Sequence, residues 1–91
     1  MRVDYLPRFD RSFKKVGLPI QEEIQRAIGS FLDNISKGTR PQGLGLRRLR
    51  DVFWEIRVGL QYRVLFEMKN DWVTFLFVGN HNEVKRFLKS I

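Results

Sequence analysis

The chain has no cysteine and a single histidine among its 91 residues. Without cysteine there is no disulfide staple, thiolate nucleophile or cysteine metal site, and an intracellular, cytoplasmic protein is expected. One histidine with scattered carboxylates does not make a metal site, so neither metal nor cofactor is expected. The glycines of GLGL at 43–46 lack the Lys-Ser/Thr that a phosphate-binding loop needs. No apolar run approaches the ~18 residues of a membrane span. The opening MRVDYLPRFDRSF has no long apolar stretch, so it does not read as a signal peptide. Negative charge is scarce too, with 10 acidic residues against 17 Lys and Arg.

What is present suits one small domain over residues 1–91. Hydrophobic residues are 43% and aromatics 13%, enough for a packed core. The net charge of +7 and a pI near 10.4 favour an anionic partner such as nucleic acid, a ribosome or an acidic protein. Six arginines lie between Arg40 and Arg63 (Arg40, Arg47, Arg48, Arg50, Arg57, Arg63), opposed only by Asp51 and Glu55. Their planar forks suit phosphate oxygens. Arg40, Arg47, Arg48 and Arg50 are therefore candidate RNA contacts, although an acidic protein segment or plain solvation would serve them equally.

The stretch Trp54–His81 predicts three antiparallel strands, Trp54–Val58, Tyr62–Met68 and Trp72–Val78, joined by Gly59-Leu60-Gln61 and by Asn70-Asp71. The first loop sets Val58 opposite Tyr62, Arg57 opposite Arg63, Ile56 opposite Val64 and Trp54 opposite Phe66. Residues directly opposite share a face. Trp54, Ile56, Val58, Tyr62, Val64 and Phe66 thus form an apolar face, while Arg57 and Arg63 stand side by side on the other. The second turn places Phe66 opposite Phe75, Val64 opposite Phe77 and Arg63 opposite Val78. Trp54 and Trp72 are expected in the core. The lone histidine, His81, emerges just past the third strand.

Upstream, Arg2–Leu6 reads as a strand. Phe9, Phe13 and Val16 then mark a short helix after Pro7, with Arg11, Lys14 and Lys15 outward. Pro19 opens a second helix whose stripe is Ile20, Ile24, Ile28, Phe31 and Ile35, ended by Gly38. Leu46–Val52 leads into the sheet. Asn80 or Asn82 caps a final helix with Val84, Phe87, Leu88 and Ile91 on one side. The expectation is an α+β fold: an N-terminal strand and helical hairpin on one face of a small, mostly antiparallel sheet, then a short C-terminal helix. The opposite sheet face is left partly open.

Ile56-Arg57-Val58-Gly59, Tyr62-Arg63-Val64-Leu65-Phe66 and Val78-Gly79-Asn80-His81, with the order of elements, resemble the RelE/ParE superfamily of bacterial and archaeal type II toxins. The resemblance implies a toxin held inactive by a cognate acidic antitoxin. RelE-like members are metal-independent endoribonucleases that cut messenger RNA in the A site of the 70S ribosome, stopping translation. ParE-like members keep the fold and inhibit DNA gyrase, so a non-nuclease gyrase inhibitor, or a homologue that only binds its antitoxin, is the alternative. In the nuclease reading the ribose 2′-hydroxyl attacks the adjacent phosphate and leaves a 2′,3′-cyclic phosphate. Arg63 matches a phosphate-binding catalytic arginine and Arg57 a basic position on the preceding strand. His81 matches a position that is histidine in members resembling YafQ, and imidazole titrates near neutrality. Where the family often has an aromatic residue, the nearest match here is Lys85.

Overall fold

The computed structural model describes residues 1–39, 41 and 43–91. It contains β1 (Arg2–Tyr5), α1 (Pro7–Lys14), α2 (Leu18–Ser36), β2 (Leu46–Arg50), β3 (Phe53–Val58), β4 (Tyr62–Lys69), β5 (Trp72–Gly79) and α3 (His81–Lys89). The five strands form one sheet in the order β1-β5-β4-β3-β2, with β1 parallel to β5 and the other neighbours antiparallel. This is the α+β arrangement expected. Leu46–Arg50, read only as a lead-in, is a fifth strand, pairing Leu46 with Ile56 and Arg47 with Glu55.

The helices form where the sequence permits. Pro7 and Pro19 sit in first turns, where a missing N–H costs nothing. Gly38 follows α2 with φ 72°, a conformation that favours glycine. Both helices cover the inner sheet face. Phe9, Ile24, Ile28 and Phe31 are buried there against Ile56, Val58, Val64, Phe66, Val73, Phe75 and Val78. Tyr62 and Trp54 pack at its margin, as their alternation predicts. Trp72 departs from the core expected for it. It is 44% exposed, its indole N–H donates to Asp4 Oδ2 at 2.7 Å, and the Arg2 guanidinium lies 4.1 Å from its ring centre. At the first position of β5, the amphipathic indole keeps its N–H on a carboxylate at the rim.

Between β3 and β4 every expected pairing holds: Val58↔Tyr62, Arg57↔Arg63, Ile56↔Val64 and Trp54↔Phe66. Between β4 and β5, Phe66 faces Phe75 as expected, but the register then shifts. Val64 pairs with Val78 rather than Phe77, and Arg63 with Gly79 rather than Val78. The cause is a bulge at Leu76, one residue beyond what β4 can pair. The run Phe75-Leu76-Phe77-Val78 is apolar throughout, so alternation could not reveal it. The bulge sends Phe77 to the outer face. There Leu65, Leu76 and Val84 are buried beneath α3, with Leu49, Phe53, Phe77, Phe87 and Leu88 around them.

The backbone at this end of β5 is completed by a side chain. β1 stops opposite Phe75. Farther along, the buried Val78 N–H donates to Ser12 Oγ of α1 at 2.9 Å. Ser12 Oγ also lies 2.9 Å from the Arg8 carbonyl and 3.0 Å from the Phe9 carbonyl, either of which takes its hydroxyl proton. Replacing Ser12 with Ala leaves a buried N–H unpaired. Urea unfolding of Ser12→Ala should show a loss of about 1–3 kcal/mol with an unchanged denaturant slope.

Candidate functional site

The outer face at the far end of β5 gathers most of the residues proposed to act. Arg57, Arg63 and Gly79 are successive register partners across β3, β4 and β5. Strand spacing puts the first and last backbones roughly 10 Å apart. His81 begins α3 two residues after Gly79 and is exposed. Lys85, one turn on, is exposed on the same side of the helix. Arg57, His81 and Lys85 are therefore accessible around the end of one sheet face.

Arg63 is different. It is only 9% exposed, and Glu55, which is 4% exposed, accompanies it. Arg63 Nε lies 3.4 Å from Glu55 Oε2. Register makes them diagonal neighbours, because Glu55 pairs with Leu65, two residues beyond Arg63. The carboxylate offsets one of two arginines that would otherwise repel each other. Arg63 Nε and Nη1 still have no hydrogen-bond partner. Buried guanidinium donors are ordinarily satisfied. Arg63, expected beside Arg57 on the open part of the face, is thus sunk beneath it. Glu55 is its ion-pair partner.

Two glycines permit this arrangement. A Cβ on Gly79 would lie 2.6 Å from the Phe77 ring and 2.9 Å from Glu83 Cβ. Its absence lets the first turn of α3 fold back, closing a capping box: Asn80 Oδ1 accepts from Glu83 N–H at 2.8 Å, and Glu83 Oε1 accepts from Asn80 N–H at 2.8 Å. Gly45, at φ 62°, lets its backbone approach β3, where a Cβ would come 2.9 Å from that of Arg57.

The arginines of β2 are divided in their roles. Arg48 Nε donates to the Asp51 carbonyl at 2.9 Å. Arg50 Nη2 donates to the carbonyls of Leu88 at 2.6 Å and Ile91 at 3.4 Å, tying down the end of α3. Arg47 is exposed and, opposite Glu55, shares the outer face. Arg40 lies outside the described residues. A second group of cations, Arg8, Arg11, Lys15 and Arg86, lines a cleft between α1 and α3. The basic positions of α1 had signalled only an outward face. Among the described residues no cluster of three or more His, Cys, Asp or Glu is placed to hold a metal, and no helix is long and apolar enough to cross a membrane.

No protein-family model matches the sequence, and no curated protein matches it. Solved structures do. The chain is similar to the toxin–antitoxin RelB–RelE complex of Methanococcus jannaschii, with TM-score 0.74 and 19% identity over 92% of this chain and 96% of that one. It is similar to a mutant toxin of Helicobacter pylori at TM-score 0.70 and 16% identity, covering 92% and 98%. For YafQ of E. coli the TM-score is 0.64 and the identity 12%, covering 92% and 98%. The chain has the RelE-like toxin fold.

The buried pair gives a direct test. Glu55→Leu leaves Arg63 uncompensated and should cost about 3–5 kcal/mol, whereas adding Arg63→Met in a Glu55→Leu/Arg63→Met double variant should recover most of that. Urea denaturation of both single variants and the double completes the cycle. Additive effects would show that the pair is not coupled.

Proposed function

We propose that this protein is the toxin of a toxin–antitoxin pair and cuts RNA without a metal, acting on ribosome-bound messenger RNA to stop translation. The observation that carries the reading is Arg63. Two arginines directly opposite on adjacent strands are unfavourable, and this one is buried beside Glu55 with neither Nε nor Nη1 making a hydrogen bond. Such an arrangement is expected where an anion supplies the missing partners. Arg57 and Arg63 stabilise the charge of the pentavalent phosphate. His81 transfers a proton, at a helix start whose dipole favours the phosphate. Lys85 assists from the next turn. The RelB–RelE and DinJ–YafQ complexes among the structural neighbours support an antitoxin partner. An acidic, partly disordered segment that folds on the basic surface suits a chain of net charge +7.

One observation favours a second reading, a gyrase inhibitor without nuclease chemistry. Beside His81 the exposed first turns of α3 present Asn82 and Lys85, with no aromatic side chain to stack on a base. Pulse-labelling of protein and DNA synthesis after induction of this protein alone separates the two. Early loss of protein synthesis with DNA synthesis intact is the expected result. Early loss of DNA synthesis with translation intact would assign the gyrase target and leave His81 a structural residue.

At the site, Arg57→Ala and His81→Ala should each lower RNA cleavage on the order of 10²–10³-fold while melting like the wild type. Arg63→Lys keeps the charge but loses the fork, and should also fall. Cleavage products should carry 2′,3′-cyclic phosphate and 5′-hydroxyl ends. Folded Arg57→Ala and His81→Ala proteins that remain fully toxic would sink the nuclease assignment.

A further inference from the structure

α1 presents two faces. Phe9 and Phe13 point into the core, and Arg8, Arg11 and Lys15 line the opposite side of the helix. They face Arg86 of α3 across a cavity of about 440 Å³, floored by Phe77 and Phe87. The two rings stack with centroids 5.0 Å apart and an interplanar angle of 13°. The Arg8 guanidinium carbon lies 5.2 Å from the Phe87 ring centre and 5.7 Å from that of Phe77, which fixes the cation over its floor. A second cavity of about 240 Å³ shares Ser12, Lys15, Phe77 and Glu83, and reaches Gly79, just before His81.

The cleft carries a net positive charge, four cations against the one carboxylate of Glu83. Among the described residues the ion pairs are Arg2–Asp4, Lys37–Asp33 and Arg63–Glu55. The carboxylate in the cleft, Glu83, is engaged by the backbone N–H of Asn80. Four cations, three of them arginine and none in an ion pair, outnumber that carboxylate and favour a ligand with several negative charges and little apolar surface. A protein partner anchors through buried aromatic or aliphatic side chains. This floor offers such anchors little, since its rings cover each other and Arg8 covers them. A phosphodiester backbone needs only the cations.

We propose that the cleft between α1 and α3 binds the phosphate backbone of a single RNA strand, with Arg8, Arg11, Lys15 and Arg86 as its contacts. The assignment rests on the nuclease reading only in its direction: the adjoining cavity runs from the cleft to Gly79, two residues before His81, and so gives a strand held at His81 a path into the cleft. These cations are separate from the arginines of β2, and they position the strand without reading its sequence.

The test uses a labelled 2′-O-methyl RNA oligonucleotide, which lacks the attacking hydroxyl and cannot be cut. Its affinity is measured by fluorescence anisotropy over a salt series, for the wild type and for an Arg11→Ala/Arg86→Ala double variant whose melting is checked. The double variant should bind more weakly throughout, with a log–log salt slope shallower by about 1.4, about 0.7 per lost phosphate contact. Unchanged affinity and slope would overturn the proposal. So would unchanged RNA affinity with weakened binding of a polyglutamate probe, which would assign the cleft to an acidic protein. If the wild type cuts no RNA yet the double variant loses binding, the cleft stands and the nuclease reading fails.

Discussion

Leu76 is one residue more than β4 can pair, and the chain absorbs it as a bulge between Phe75 and Phe77. The extra residue exchanges the faces of everything after it. Val78 turns inward to the helical hairpin, and Phe77 turns outward to stack on Phe87. Gly79, in place of a bulkier residue, arrives opposite Arg63. α3 can then close over the outer face, its capping box packed where a Cβ would have been. Bulges commonly re-aim side chains next to functional sites. Here a single one decides where His81 starts its helix and what α3 covers.

The price of this geometry is a guanidinium beneath the surface. Taking Arg63 and Glu55 out of water is unfavourable, and their attraction at 3.4 Å only partly compensates. Well-packed apolar residues would serve stability as well. The fold therefore retains an ion pair beneath its outer sheet face and leaves Arg63 Nε and Nη1 without hydrogen bonds. Elsewhere the cations do ordinary structural service: Arg50 holds the end of α3, and Arg2 covers Trp72.

Much of the architecture was legible from local pattern. The β3–β4 register followed from a three-residue loop and strict alternation, and it placed Arg57 opposite Arg63 correctly. Asn70, at φ 55°, and its turn likewise set the first pairs of β4 and β5. The register failed where alternation vanishes, in Phe75-Leu76-Phe77-Val78, because both faces are covered there. β2 escaped notice because LRRLR exposes its arginines and anchors with only two leucines. At the candidate site, residue types revealed the cations but not their depth. Burial of Arg63 goes with the diagonal position of Glu55 and the packing of the outer face, which residue type alone does not reveal. The α1–α3 cleft was hidden because its cations come from opposite ends of the chain.

β1 lies in parallel with β5, matching Arg2 to Trp72 and Tyr5 to Phe75. The first strand of the sheet in chain order is thus paired with the last. Until residues near 79 have emerged, β1 has no neighbour, Ser12 has no Val78 N–H to receive, and neither basic surface exists. Such long-range closure slows folding relative to local pairing. It also makes assembly of the outer face and of the α1–α3 cleft wait for β5 and α3, so a nascent chain that has not yet reached them carries neither surface.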